Sequence, residues 1–382
     1  MPTNCPRPVT HTRPAKKARF GFLLALVAIG LAVLDLGMLR PGMPGSNGPI
    51  ALGPSVARAD EGELPGFLRE RFSLRTSNRR DNGDMIQLVR PLAEAIGQSI
   101  VQVVSDGTPV ALGVIVAEDG YLLTKRSELS GDPIRVRMPD SRLLPARVAA
   151  VRRQSDLALI QIEGAGESLR PIRFAEEDEA AIGSFLISVG RGGTPIGLGV
   201  VSVPVRSVEH NGRLGIVLVD DQGQVTVRGV WPDSGAATAG VKQGDRIIAI
   251  DGRKEANHNT AIQTLRGLFP GESVRLTINR EGETLNLVAK IQDFGVMQES
   301  ANDSKVNGPR SVRLSGFDRV LQHDTVLNPD ECGGPLIDSS GRVIGLNIAR
   351  AGRVVSYALP SSLVLPELAI LLSEARGQTA SN

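Results

Sequence analysis

The sequence predicts a mostly β protein built around closed antiparallel barrels. Glycine is abundant at 43 residues, and proline adds 24. Short apolar runs recur between turn signals at close and regular spacing. A length of 382 residues allows two or three domains at roughly 100–200 residues each. The aromatic share is only 3%, with one Trp and two Tyr, which leaves no stacking platform for single-stranded nucleic acid.

In chain order, residues 1–59 come first. They hold seven bases (Arg7, Arg13, Lys16, Lys17, Arg19, Arg40, Arg58) and one acid, Asp35, leaving 36 bases and 40 acids beyond them. A mildly acidic body has no electrostatic footprint for DNA or RNA, so no nucleic acid partner is expected. Arg13, Lys16, Lys17 and Arg19 precede an apolar run over 20–34, and a Pro/Gly-rich stretch leads to Val56-Ala57-Arg58-Ala59-Asp60. A basic start, an apolar middle and Ala-x-Ala describe a secretory signal over 1–59, cleaved after Ala59. The competing reading is an uncleaved membrane anchor, although the 15 apolar residues before Asp35 fall short of a span of about 20. Either reading puts the body outside the cytoplasm, in the periplasm or cell envelope, and the membrane is a partner only if the segment stays on.

Residues 60–84 are charged and aperiodic and read as a linker. The spacing of Ile86, Leu88, Val89, Leu92 and Ile96 predicts a short helix over 85–98, weakened by Pro91. Six β-like runs follow at 100–104, 111–117, 121–124, 134–138, 146–152 and 157–162, which suits one antiparallel barrel. Further runs lie at 184–189 and 197–205. Residues 213–293 mix strands with a Gly/Ala-rich turn and a helical run over 260–268, ended by Pro270-Gly271. A polar stretch over 298–310 reads as a linker. Strand patterns return at 312–314, 335–337, 342–348 and 354–359, and a last helix at 362–374.

Four stretches carry a family resemblance. They are Gly120-Tyr121-Leu122-Leu123-Thr124, Ser155-Asp156-Leu157-Ala158-Leu159-Ile160, the loop from Asn328-Pro329-Asp330-Glu331-Cys332 through Gly333-Gly334-Pro335-Leu336-Ile337, and the Gly-Arg-Val-Ile-Gly-Leu-Asn run over 341–347. In this order they resemble the HtrA/DegP/DegQ family, trypsin-fold serine proteases that carry PDZ domains. Gly212-Arg213-Leu214-Gly215-Ile216 and the run over 234–252 resemble a PDZ domain placed inside the second barrel. The resemblance implies a trypsin-like double six-stranded antiparallel barrel with an inserted PDZ domain. It divides the chain into a first barrel at 85–180, the start of a second at 181–212, the PDZ domain at 213–293, a linker at 294–310, the rest of the second barrel at 311–372 and a tail at 373–382. It also admits a homo-oligomer.

The departures from the family pattern concern the chemistry. The resemblance puts Ser127 where the catalytic His belongs, Cys332 where the nucleophilic Ser belongs, and Asp330 at the oxyanion-hole position that is usually Gly; only the Asp, Asp156, survives. Acyl transfer in this fold needs a nucleophile, a base, an orienter of the base and an oxyanion hole. A hydroxyl at 127 cannot serve as the base. A thiol needs a cationic neighbour to ionise at neutral pH, whereas Asp324, Asp330 and Glu331 bring negative charge near it in sequence and are expected to raise its pKa. Asp330 is expected to tolerate the hole's backbone conformation less well than Gly. Cys332 reads either as a nucleophile or redox thiol, or as a small apolar replacement for Ser. His323 reads either as a group reaching Cys332 or as an ordinary strand residue beside Asp324. The Gly-rich stretch over 190–199 fits no phosphate loop. The four scattered His have no metal-ligand spacing, so neither a metal nor a cofactor is expected. Cys5 and Cys332 support no disulfide framework.

The PDZ-like segment suggests peptide binding, in which a chain end adds to a sheet edge and its carboxylate meets backbone donors. Arg213, Leu214, Gly215 and Ile216 form the candidate carboxylate loop. Leu214, Ile216, Ile262 and Leu265 either line an apolar pocket or fill a small core. The reading at this stage is an exported pseudoprotease that binds peptides or unfolded proteins through C-terminal carboxylates, as scaffold, chaperone or regulator. The alternative is an active endopeptidase with Cys332 as nucleophile, serving envelope protein quality control. Cleavage after Ala59 gives a mature chain beginning at Asp60; mass spectrometry of the native protein that finds residues 1–59 intact favours the anchor instead.

Overall fold

Asn82 starts the first helix, α1 (Gly83–Ala95), by accepting the N–H of Met85 at 2.9 Å, which satisfies a donor the helix cannot. The structure is a computed structural model that describes residues 82–379 apart from 130, 165, 167, 168, 178, 179, 256 and 300. The signal-or-anchor segment and nearly all of the 60–84 linker lie outside the described residues. Pro91 lies within α1 without ending it, and Val89 and Ala93 turn its buried face to the core.

Strands β1 (Ile100–Ser105), β2 (Thr108–Ile115), β3 (Tyr121–Lys125), β4 (Ile134–Arg137), β5 (Leu143–Arg152) and β6 (Leu157–Ile162) close a barrel in the order β1-β2-β3-β6-β5-β4. Val101, Val103, Ile115, Leu122 and Ile160 pack together in one core cluster, while Leu123, Leu157 and Leu159 of the same strands join another. Burial on both faces explains why β3 and β6 read as continuous apolar runs.

The next strands, β7 (Phe185–Val189) and β8 (Pro195–Val208), are joined by a tight 3₁₀ turn at Arg191–Gly193, which accounts for the glycines over 190–199. The chain then leaves the barrel for the inserted domain. Its elements are β9 (Gly212–Arg213), β10 (Ile216–Asp221), β11 (Gln224–Val230), α2 (Gly235–Thr238), β12 (Arg246–Ile250), β13 (Arg253–Lys254), α3 (His258–Arg266), β14 (Ser273–Arg280), β15 (Glu283–Lys290) and β16 (Gln292–Asp293). The main sheet runs β10-β11-β12-β14-β15, so β10 is an edge. β9 pairs with β16, Arg213 opposite Gln292 and Gly212 opposite Asp293. The insert thus begins and ends at one place, which lets it interrupt a barrel without opening it.

Residues 294–310, read as linker, instead contain two short helices, α4 (Phe294–Met297) and α5 (Ala301–Asn307). Glu299 gathers this polar stretch by accepting from Asn307 and Arg310, each at 2.6 Å. The barrel resumes with β17 (Phe317–His323), β18 (Pro335–Asp338), β19 (Val343–Gly352) and β20 (Val355–Pro360), and closes in the order β17-β20-β19-β18-β7-β8. The terminal helix α6 (Ser361–Thr379) packs against β5 and β19, with Arg152 reaching Glu367 at 3.1 Å and Glu374 at 2.8 Å. Among the described residues no helix is long and apolar enough to cross a membrane.

The strand expected at 312–314 is absent, and β17 lies a few residues later. Tertiary partners override β propensity there. The Val312 N–H donates to Glu128 Oε1 at 2.9 Å. Arg313 is fully buried between the rings of Phe269, 4.1 Å away, and Phe317, 4.5 Å away. Its guanidinium donates to the carbonyls of Ser315 at 3.0 Å, of Gln154 at 2.5 Å, and of Arg153 and Gly316. Burial pushes its pKa down to about 10, with Asp156 opposing, so it stays charged at neutral pH. Nearby, Glu272 of the insert takes Arg126 at 2.8 Å and Arg153 at 2.6 Å. Removing the Arg313 cation leaves four buried carbonyls without their donor and two rings without their filling. Arg313→Met is therefore expected to lower the unfolding free energy by about 3 kcal/mol or more, read by urea titration; a loss under about 1 kcal/mol contradicts this role.

Candidate functional site

Antiparallel pairing of β3 with β6 sets Lys125 opposite Leu157. The residues just beyond these strand ends, Ser127 and Asp156, therefore meet. Asp156 has φ of 59°, a left-handed conformation that Asp adopts more readily than most side chains. Its two carboxylate oxygens accept from Ser127, Oδ1 from the backbone N–H at 2.9 Å and Oδ2 from the hydroxyl at 2.8 Å. Burial raises the Asp156 pKa, while Arg313, Lys125 and the Ser127 hydroxyl pull it partly back.

Cys332 is fully buried and lies beside the first barrel: its carbonyl accepts from the N–H of Leu112 at 2.8 Å. The next residue, Gly333, has φ of 93°, and a side-chain carbon there would fall 2.1 Å from the Leu112 carbonyl oxygen, so only glycine fits. The thiol contacts Ser311 Oγ at 3.9 Å and the Asn328 carbonyl at 3.7 Å. Burial raises its pKa, and Lys125 and Ser311 oppose that rise only in part. The direction is the one expected, but its main cause is desolvation, to which Glu331 adds only a little.

The sequence reading missed a cation here. Lys125 is fully buried, with Nζ 3.0 Å from Glu128 Oε1 and 3.1 Å from Ser311 Oγ. Burial pulls its pKa down, but Glu128, Cys332 and Asp156 outweigh that and leave it raised. Lys125 is thus an ammonium group, not a base. The only sequence signal was a lysine ending the apolar strand run 121–125. Ser311 and Glu128 carried none, because only the fold brings the segment after the insert to this place. The insert also covers the site: a side-chain carbon at Gly271 would lie 3.2 Å from the Ser127 carbonyl oxygen.

Asp330 does not adopt the strained backbone expected of it. It sits within a 3₁₀ turn, Pro329–Glu331, and is not among the residues with positive φ. The turn folds the Cys332 N–H onto the Pro329 carbonyl at 3.3 Å, so this donor is not free to meet an oxyanion. Glu331 closes the turn by accepting the Asn328 N–H at 2.6 Å.

A second site lies in the insert. Arg213, Leu214, Gly215, Ile216, Ile262 and Leu265 line one groove of about 330 Å³ between β10 and α3, together with Trp231, Phe294 and Met297. Leu214 and Leu265 are also buried in the insert's core, with Ile216 and Ile262 packed against it, so these side chains do both jobs considered from sequence. Gly215 has φ of 85°, and its backbone lies close to Ser234 and to the Met297 methyl group. The Arg213 guanidinium donates to the Gly212 carbonyl at 2.8 Å and lies 5.9 Å from the Phe294 ring.

The sequence that builds these sites is similar to known proteins. Residues 212–291 match the PDZ domain family. A probable periplasmic serine protease, do/HhoA-like, from Haemophilus influenzae is 29% identical over 188 residues, 48% of this chain and 36% of the relative. A probable periplasmic serine endoprotease, DegP-like, from Hahella chejuensis is 25% identical over 256 residues, 62% of this chain and 49% of the relative. The chain is homologous to the DegP/HtrA periplasmic serine proteases. The periplasmic serine endoprotease DegP of Escherichia coli matches at 24% over 314 residues, 58% of this chain and 65% of DegP. The chain spans about a third to a half of the length of the first two DegP/HtrA relatives.

His323, read from sequence either as a group reaching Cys332 or as an ordinary strand residue, is a buried strand residue of β17. Burial lowers its pKa to about 4, with Asn347 and Asp324 pulling weakly upward. In the unfolded chain a histidine takes its proton near pH 6.5, so the native state resists a proton that the unfolded state accepts. The stability contributed is full above about pH 6.5 and is lost as the pH falls toward about 4, by about 3 kcal/mol. His323→Leu is expected to flatten the wild-type stability profile across this window; parallel profiles by chemical denaturation contradict it.

Proposed function

We propose that this chain is a periplasmic pseudoprotease of the DegP/HtrA kind that binds protein chain ends through its PDZ groove. One observation carries the loss of catalysis: the thiol at the nucleophile position is fully buried with a raised pKa, while both Asp156 oxygens are engaged by Ser127. In this reading Ser127, Asp156 and Cys332 occupy the triad positions and Asp330 that of the oxyanion glycine. No step of acyl transfer has its group. Ser127 cannot take a proton, Lys125 already carries one, and the Cys332 N–H is turned inward. The four groups serve the packing of the barrels instead.

The alternative, a Cys332 peptidase, is favoured by one feature, the Lys125 ammonium that lowers the thiol's pKa. Burial is the larger influence and opposes it. Peptide binding is supported by the PDZ match, by the free edge of β10 and by the apolar groove beside the Gly215 turn. The relatives are named as periplasmic, and the basic and apolar segment over 1–59 agrees with export to that compartment.

The full chain incubated with unfolded casein at neutral pH is expected to release no fragments beyond a Cys332→Ala control, and Cys332→Ser is expected to gain no activity. Cleavage by the wild type that Cys332→Ala and thiol alkylation abolish overturns the pseudoprotease reading. In parallel, peptides ending in a free carboxylate are expected to bind at least about tenfold tighter than their amides; equal affinity contradicts capture of chain ends.

A further inference from the structure

Where the groove lining ends on β10, one histidine reaches the strand from α3. Asn257 caps α3 by accepting the Thr260 N–H at 3.0 Å, and Thr260 Oγ1 in turn accepts the Asn257 N–H at 3.2 Å. This fixes His258 as the first residue of α3, where it reaches β10: its Nε2 lies 2.9 Å from the carbonyl oxygen of Leu218. The bridge ties the helix to the strand where the groove lining ends, since Leu218 is the last β10 residue along it.

The backbone pattern says what this bridge obstructs. The Gly215 carbonyl accepts from the Trp231 N–H at 2.8 Å, so residue 215 points into the sheet. In an antiparallel strand successive residues point alternately to the two sides. Ile216 and Leu218 therefore present their N–H and C=O groups to the open edge, as the His258 contact with Leu218 agrees. A chain end whose carboxylate meets the 214–216 turn sets its last residue opposite Ile216 and its third-from-last opposite Leu218. That third residue must donate to the same carbonyl that His258 already contacts. At the other end, Met297 packs over Gly215, and Trp231 and Phe294 stand edge to face with centroids 6.1 Å apart. A space of about 330 Å³ is at the small end of ligand cavities and suits two residues.

We infer that His258 is a length selector: the groove takes only the last two residues of a chain end, with a free carboxylate and an apolar terminal side chain, and the His258–Leu218 bridge shuts out strand pairing beyond them. This rests on the peptide-binding reading above and adds the ligand's length and the residue that sets it. The test uses the full chain and calorimetric titration with two peptides of free carboxylate, N-acetyl-Ala-Leu and N-acetyl-Ala-Ala-Ala-Ala-Ala-Leu. For the wild type the two dissociation constants are expected to agree within about threefold. His258→Ala and His258→Ser each free Leu218 and are expected to tighten the hexapeptide by about tenfold, through one or two added strand hydrogen bonds, with the dipeptide unchanged. Two variants guard against one failing to fold, since the partly exposed side chain at the helix start is a mild site to change. A wild-type preference of about tenfold or more for the hexapeptide overturns the selector role, as does a length ratio unmoved in both variants. If neither peptide binds wild type or variants at millimolar concentration, the peptide-binding reading falls and the selector with it.

Discussion

The structure depends on one buried cation. Arg313 lies between the short helices that follow the insert and β17, and its guanidinium reaches carbonyls of Arg153 and Gln154 in the first barrel while lying between Phe269 of the insert and Phe317 of the second barrel. A planar group with five donors can satisfy several carbonyls at once and still offer two faces to rings. No apolar residue could do both. Ser155 and Asp156 follow directly on the carbonyls it holds, so the junction of three folding units and the loop that presents Asp156 are one construction.

That junction explains the burial of the neighbouring polar groups. The segment leading to Arg313 carries Ser311, which bonds Lys125, and Val312, which bonds Glu128. With these in place Lys125, Asp156 and Cys332 are fully enclosed. A buried charge is tolerable only when paired and hydrogen-bonded, and each ion here has its partners: Lys125 with Glu128, Asp156 with Ser127 and the nearby Arg313. Such a network is costly to break from either side, which suits a structural post better than a centre that must exchange protons with a substrate.

The insert shows the opposite disposition. It keeps an edge strand, an apolar groove and a glycine turn on its own surface, while its Phe269 and Glu272 secure it to the barrels. The side of the insert that anchors it and the side that carries the groove are different, so attachment does not consume the groove.

Much of this was legible in the sequence. The first barrel's strands announce themselves as short apolar runs cut by turns, and Gly215 marks backbone that a side chain would obstruct. The six groove residues were named because the sequence around them resembles a PDZ domain, whose carboxylate loop and pocket lie in short local segments. What could not be read was set by groups distant in the chain. The strand expected at 312–314 gave way to polar contacts with the first barrel; the polar run over 294–310 folded around Glu299; Asp330 avoided strain by turning into a 3₁₀ bend that also drew in the Cys332 N–H. The thiol's environment came from Lys125 and Ser311, 186 residues apart in sequence, and from burial, which no neighbouring residue reveals. Local spacing therefore determined which elements form and which backbone positions are constrained, whereas the charge state and access of Lys125, Asp156 and Cys332 were decided by the tertiary structure, because desolvation and Coulomb interactions act through space and not along the chain.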